Sequence, residues 1–169
     1  MFDFWRQRLR GGVAPSSRPS IGHLMKSAVG AFIAIAFVAW LSGLVGQPLL
    51  LGSLGASCVM LFGFPDLPFS QPRNAVVGHF LTSLVGLACL YLFGTVWWAM
   101  PLALSASVFL MILLGVTHPP AGSNPIIIFL SQPTWAFLIF PTFFGIVGIV
   151  FIALIHNNLT RKTAYPSYW

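Results

Sequence analysis

The sequence predicts an all-α membrane protein, with four full transmembrane helices and two short, broken helices arranged as two repeats. Three observations lead to this prediction: a very apolar composition, a series of long apolar runs, and two shorter runs interrupted by glycine or proline. Of the 169 residues, 57% are apolar and 6% are charged, whereas soluble domains have about 25% charged residues. So few charges cannot cover a soluble globule, which excludes a soluble enzyme or a soluble binding module.

The basic residues that give the chain its net charge of +6 lie at the ends of the apolar runs and in the links between them. We expect no nucleic-acid partner, because no basic patch stands on a polar fold. A basic excess beside apolar runs is typical of the cytoplasmic flank of a membrane protein. The sequence therefore divides into a basic cytoplasmic segment (1–23), one transmembrane domain (24–156) and a cytoplasmic tail (157–169). The bacterial inner (plasma) membrane is the predicted location.

Four apolar runs are the predicted full spans, since about 20 apolar residues cross the ~30 Å hydrocarbon layer. They cover residues 27–46, 75–94, 99–116 and 136–155. Two further runs, 49–64 and 119–131, are too short or too interrupted for an ordinary span. Broken backbone at membrane depth is tolerated only where protein or a water-filled cavity surrounds it. The two short runs are therefore the part of the sequence that points to function.

The two halves of the sequence resemble each other. A shift of 67 residues lays residues 55–62 on 122–129 and Gly78 on Gly145. This predicts two repeats, 24–90 and 91–156, each with a span, a short broken helix and a second span.

Two topologies follow from the repeat. If both short helices cross the membrane, the halves are inverted and Arg73 lies on the side of the two termini. If both are re-entrant, the halves are parallel and Arg73 lies on the opposite side. The tendency of basic residues to stay in the cytoplasm favours the inverted arrangement, and both versions put both termini there. At the N-terminus, Phe2, Phe4 and Trp5 could anchor a short amphipathic helix on the lipid surface.

The first candidate site follows the fourth run, where His118 is followed by Pro119 and Pro120. Proline suits the first turn of a helix, where a backbone donor is not needed. Amides and short polar side chains come next, and a helix N-terminus attracts anions. These residues, Gly122, Ser123 and Asn124, are predicted to bind an anion, with His118 as an additional donor. The alternative is a surface loop capped by serine or asparagine.

The matching segment of the first repeat holds Gly55, Ala56 and Ser57. Paired broken helices that point their N-termini at an anionic substrate recur in transporters. The segment is therefore the predicted second half of the site. The alternative is close packing between helices through small residues.

The third candidate group is Arg73 and Asn74 at the start of a run, with His79 further along it. Arg73 would concentrate anions at a pore mouth, or act as an interfacial anchor. His79 would relay protons or donate a hydrogen bond, or be an ordinary core histidine. Ala75, His79 and Ser83 share one helix stripe, and a second stripe of small residues suits close helix packing: Gly78, Thr82 and Gly86.

Motifs for catalysis and cofactor binding are missing from the sequence. Cys58 and Cys89 lie in apolar runs without a C-x-x-C pattern and are interpreted as small buried apolar residues. The two acidic residues of the chain give general acid–base chemistry few candidates. Ser57 or Ser123 could pair with His118 in an intramembrane hydrolase, but the spacing of these residues in the sequence does not favour one. We therefore predict no enzyme, no metal and no cofactor.

The run of residues 117–122, Thr-His-Pro-Pro-Ala-Gly, resembles the signature of the HPP family of small integral membrane proteins. A second block agrees with it: Gly55, Ala56 and Ser57, then Gln-Pro-Arg-Asn at 71–74 and Gly-His at 78–79. The resemblance covers roughly Pro48 to Gly148. The chain departs from the family pattern at Ser123 and Asn124, where the family often has alanine or glycine followed by threonine. This difference bears on which substrate is bound and not on membership of the family.

This resemblance implies a protein with four transmembrane helices and a transport role, since plant and cyanobacterial relatives are associated with nitrite movement. We therefore expect a transporter or channel for a small monovalent anion, with nitrite first and nitrate next. A chain this small is expected to need a homo-oligomer to enclose its site. The alternatives are a membrane scaffold that binds another chain, and an intramembrane enzyme.

Overall fold

A computed structural model describes residues 17–169, and all of their regular secondary structure is helical. Residues 1–16, which include the predicted surface helix around Phe2, Phe4 and Trp5, lie outside the described part. The described residues form six α-helices: α1 (Ile21–Val45), α2 (Gly52–Cys58), α3 (Pro72–Phe93), α4 (Ala99–Leu113), α5 (Asn124–Ser131) and α6 (Phe144–Thr160).

Short irregular turns extend three of these helices. A π-helical turn, Val59–Gly63, continues α2, and a 3₁₀ turn, Pro119–Ser123, leads directly into α5. We call residues 52–63 the first short helix and residues 119–131 the second short helix. A 3₁₀ turn (Trp135–Leu138) and a π-helical turn (Ile139–Phe143) precede α6, and a 3₁₀ turn (Pro68–Ser70) precedes α3.

Three helices are long and apolar enough to cross a membrane: Ile21–Val45, Pro72–Phe93 and Trp135–Thr160. The fourth predicted span, 99–116, is shorter than expected, since α4 has 15 residues and a length of about 22 Å. Gly115 ends it early with a left-handed φ of 63°. The N–H of Val116 then bonds to the carbonyl of Met111, which is the usual closure of a helix by such a glycine.

The first short helix runs back along α1. Near the end of α1, the N–H of Leu49 donates to the hydroxyl of Ser42. Near its start, the hydroxyl of Ser27 donates to the carbonyl of Phe62, 2.9 Å away. Between Leu49 and Phe62 the chain therefore returns along about 22 Å of α1.

The second short helix runs alongside α3 and in the same direction. At the start of α3, the amide of Asn74 donates to the carbonyl of Thr117 at 3.0 Å. At its end, the rings of Tyr91 and Trp135 lie 5.2 Å apart. Between Thr117 and Trp135 the chain therefore covers about 25 Å of α3.

One end of the bundle holds the start of α1, the end of α6 and the link before α3. The ammonium of Lys26 donates to the carbonyl of Thr160, and Arg161 forms an ion pair with Asp66. We call this the basic end and the opposite one the far end. All lysines and arginines of residues 17–169 belong to the basic end: Arg18, Lys26, Arg73, Arg161 and Lys162.

Two glycines allow backbone segments to pack directly on the long helices. A side chain added at Gly78 would lie 3.0 Å from the Cβ of His118 and 3.2 Å from the carbonyl of Val116. One added at Gly145 would lie 2.5 Å from the carbonyl of Leu49. The loop before each short helix therefore rests on a glycine of α3 or α6, as the predicted stripe through Gly78 requires.

The Gly145 contact has a direct consequence for stability. We expect Gly145→Ala to lower the free energy of unfolding by about 1–3 kcal/mol, because the methyl group would collide with the backbone carbonyl of the buried Leu49. Unfolding in detergent measures the change. The control is Gly55→Ala, where no heavy atom lies within 4 Å of the added carbon. Equal stability of the two variants would contradict this packing.

Candidate functional site

A cluster of polar side chains lies buried where the two short helices meet α3. It draws on the first short helix, on α3, on the loop before the second short helix, on α5 and on the turn before α6. None of its side chains has exposed surface. Its members are Ser57, His79, Ser83, His118, Asn124 and Thr142, which we call the polar cluster.

Ser57 is the centre of the polar cluster. Its hydroxyl oxygen lies 2.9 Å from Nε2 of His79 and 2.9 Å from Nε2 of His118. The carbonyl of Ser53, one turn earlier, lies 3.0 Å from the same oxygen. A hydroxyl has one proton to donate and two lone pairs that accept, so Ser57 donates to one of these partners.

The other nitrogen of His118 determines its tautomer. Nδ1 lies 2.6 Å from the carbonyl of Phe69, and a carbonyl only accepts hydrogen bonds. His118 therefore carries its proton on Nδ1. When His118 is neutral, its Nε2 accepts, and the hydroxyl of Ser57 is the donor.

Asn124 determines the tautomer of His79. Its amide nitrogen lies 3.1 Å from Nδ1 of His79, 3.3 Å from the His79 carbonyl and 2.8 Å from the hydroxyl of Ser83. The carbonyl requires the NH₂ group of Asn124 on this side. Nδ1 of His79 is then an acceptor, and its Nε2–H donates to Ser57.

The hydrogen bonds of the neutral cluster form one chain with a single direction. Asn124 donates to His79, His79 to Ser57, Ser57 to His118, and His118 to the carbonyl of Phe69. A side branch joins Ser83 to Thr142 at 3.1 Å. The amide oxygen of Asn124 is buried and has no partner among the described residues, so it can accept one further hydrogen bond.

Comparison with known proteins identifies the family. The family model for the HPP transmembrane region matches residues 16–166. The chain belongs to the HPP family. Membership, together with the apolar helices, makes it an integral membrane protein, and the sequence-based assignment to this family is confirmed.

Two curated relatives of this HPP protein come from Dictyostelium discoideum, and each is described only as a transmembrane protein. They are 38% and 36% identical over 128 residues, which is 71% of this chain in both cases and 45% and 41% of theirs. The chain therefore spans less than half the length of these relatives. No solved structure matches the chain.

The His-Pro-Pro run at 118–120 has a structural role at each position. His118 closes the hydrogen-bond chain of the polar cluster. Pro119 and Pro120 start the second short helix, with proline in its first turn, as the sequence predicts. Together with Ser57, His79 and Asn124, His118 is one of four predicted site residues that lie in direct contact.

Other predicted site residues of the two short helices lie apart from the polar cluster. Gly55 and Ala56 are exposed on the outer face of the first short helix, and Gly122 and Ser123 are half-buried. The hydroxyl of Ser123 donates to the carbonyl of Pro120. The N–H of Asn124 donates to the carbonyl of Ala121, so this amide is not free to bind an anion.

Arg73 and Asn74 lie at the basic end and not in the polar cluster. The guanidinium of Arg73 is exposed and has one long contact, 3.5 Å, to the carbonyl of Leu114. Asn74 joins the loop before the second short helix to the C-terminal tail, because its oxygen accepts from the hydroxyl of Tyr168 at 3.0 Å.

Ser83, Thr142 and the tail are not among the predicted site residues. Ser83 shares a helix stripe with His79, and this position was the available signal. Thr142 gave none. In the tail, Tyr165 is buried and its hydroxyl donates to the carbonyl of Ser70 at 2.6 Å, and burial raises the pKa of this phenol. α6 continues to Thr160, so the tail is shorter than the predicted 157–169.

The opposite tautomers of the two cluster histidines can be measured. We expect ¹⁵N NMR of the purified protein at high pH to show His118 with its proton on Nδ1 and His79 with its proton on Nε2. The variants His79→Gln and His118→Gln assign the two sets of signals. Two histidines with the same tautomer would contradict the direction of the hydrogen-bond chain.

Proposed function

We propose that this HPP protein is a transporter or channel for a small monovalent anion, with nitrite as the first candidate. One observation carries the proposal: Ser57 and Asn124, one from each short helix, hydrogen-bond to the two ring nitrogens of the same histidine, His79. Buried polar groups at membrane depth cost several kcal/mol unless they are fully partnered. Such groups are typical of substrate and ion pathways.

The proposed inverted repeat supports a transport function. Gly145 lies 67 residues after Gly78, and Leu49 lies 67 residues before Val116. The contact of Gly78 with Val116 therefore corresponds to the contact of Gly145 with Leu49, with the two halves exchanged. The same shift converts Ser57 into Asn124. Two repeats of about 67 residues, in opposite directions and with the site between them, form a recurrent architecture of transporters.

The proposed topology has six crossings. The segments with the two short helices follow about 22 Å of α1 and about 25 Å of α3, so we propose that both cross the membrane. The start of α1 and the end of α6 then lie on the same side, at the basic end. Because the lysines and arginines of the described residues gather at that end, we assign it to the cytoplasm. The bacterial plasma membrane stays a prediction, which the Dictyostelium relatives do not address.

We propose that anions reach the site from the basic end. Arg73 is exposed there and would raise the local anion concentration. The amide of Asn124 and the N–H groups of His79 and His118 are the proposed anion ligands. Each already donates within the polar cluster, so an anion would have to replace one of these acceptors. Exposed small residues of the first short helix, Gly55 and Ala56, are proposed as a contact between copies of the chain.

A second candidate function rests on the distance between Ser57 and its histidines. A hydroxyl 2.9 Å from an imidazole nitrogen is the pairing of serine hydrolases. We favour transport because Ser57 has no exposed surface and both imidazoles share its oxygen. A fluorophosphonate probe that labels Ser57 would support the hydrolase. A scaffold role would instead appear as a captured partner chain, with no anion flux.

The test is anion flux into liposomes that contain the purified protein, with nitrite, nitrate, formate and chloride compared. We expect selective nitrite flux, and we expect Asn124→Ala to lower it about tenfold or more, the effect of losing about one buried hydrogen bond. The matched control is Asn157→Ala, which removes another buried asparagine, bonded to the carbonyl of Leu61.

Two results would contradict the proposal. The absence of flux for every anion, from protein that is shown to be folded, would favour the scaffold. Equal losses in the Asn124→Ala and Asn157→Ala variants would indicate a general effect on folding and remove Asn124 from the pathway.

A further inference from the structure

We infer that Ser57, His79 and His118 form a buried proton-binding site that holds one additional proton on His118, with the hydroxyl of Ser57 as its switch. The site deepens the proposed function, since it would let a proton move together with the anion. This coupling rests on the proposed function, whereas proton binding itself does not.

The neutral state of the site uses the hydroxyl of Ser57 as a donor. Nδ1 of His118 donates to the carbonyl of Phe69, so its Nε2 is left as an acceptor 2.9 Å from Ser57. Ser57 accepts at the same time from Nε2 of His79. Every nitrogen of the two rings then has one partner.

A proton added to Nε2 of His118 changes only the direction of one bond. Nε2–H of His118 then donates to the oxygen of Ser57, which uses its second lone pair. The hydroxyl proton of Ser57 turns to the carbonyl of Ser53, which lies 3.0 Å away. The ring nitrogens keep their partners in both states, so the site can take up or release a proton with the rotation of a single hydroxyl group.

His79 cannot take this proton in the same way. Its free nitrogen, Nδ1, faces the NH₂ group of Asn124, so a second N–H there would oppose a donor. The two rings also lie 5.3 Å apart between centroids, and two positive charges at this separation repel each other strongly in a buried site. The capacity of the site is therefore one proton, and His118 holds it.

When His118 is protonated, no acidic group lies beside its positive charge among the described residues. α3 contributes His79 and, at its exposed start, Arg73, and the first short helix contributes the thiol of Cys58. The link before α3 contributes Asp66, the one acidic residue of the described part, which pairs with Arg161.

The C-terminal tail contributes two phenols near the site, and each has an oxygen to which it donates. Tyr165 donates to the carbonyl of Ser70, and Tyr168 donates its one proton either to the side-chain oxygen of Asn74 or to the carbonyl of Pro68. A charged His118 therefore lacks a carboxylate among residues 17–169, and a buried charge without a partner is costly. A small anion beside His118 would supply the missing charge. Proton and anion binding should therefore favour each other.

The experiment is a pH titration of the histidine ¹⁵N signals of the purified protein, without and with nitrite. We expect His118 to become the imidazolium while His79 keeps its Nε2–H tautomer throughout, and we expect nitrite to move the titration of His118 to higher pH. The wild-type titration needs no transport, so a failed flux assay leaves it interpretable.

Ser57→Ala tests the switch, with Ser107→Ala as the control, a second fully buried hydroxyl that lies on α4. Loss of the hydroxyl removes the partner of the charged Nε2–H. We expect the proton affinity of His118 to fall about tenfold, or one pH unit, and to stay unchanged in the control. In proteoliposomes, nitrite-dependent proton uptake should fall by the same factor.

Three results would overturn the inference: both histidines becoming charged over the same pH range, no imidazolium at any pH at which the protein is folded, or an unchanged titration in Ser57→Ala. Nitrite flux without any of the expected titration would refute the proton site but not the proposed function. The expected titration without any anion flux would refute the proposed function but not the proton site.

Discussion

The rest of the structure depends on the pair of hydrogen bonds that join the two short helices to His79. A helix too short or too interrupted to cross lipid alone needs protein around it, because its polar groups find no water at that depth. Here Ser57 and Asn124 supply such groups, and one imidazole between them partners both. The long helices can surround this centre closely because Gly78 and Gly145 let backbone loops rest directly on them.

Much of this arrangement could be predicted from the sequence, because its signals are local. Prolines and glycines marked the short helices, and polar residues in apolar runs marked Ser57, His79, His118 and Asn124. The contacts between them could not be predicted, since they join segments that are distant in the sequence. The length of α4 depended on the left-handed turn at Gly115. Thr142 had no pattern that separates it from an ordinary turn residue.

The basic end combines charge with an ordered tail. Arg161 pairs with Asp66, and the N–H of Ser167 donates to the side chain of Gln71 at 2.8 Å. These contacts attach the tail to the link before α3, whose Phe69 carbonyl accepts the bond from His118. The tail and the polar cluster therefore share one short segment, which places the buried histidines next to the end where anions are proposed to enter.

Labelling of single cysteines with a membrane-impermeant thiol reagent shows whether both short helices cross the membrane, as we propose. In a background without Cys58 and Cys89, cysteines would replace four exposed residues: Gln47, Leu67, Gln132 and Lys162. We expect Leu67→Cys and Lys162→Cys to be labelled from one side, and Gln47→Cys and Gln132→Cys from the other. Labelling of Leu67→Cys from the same side as Gln47→Cys would instead make the first short helix re-entrant and rule out the six-crossing topology.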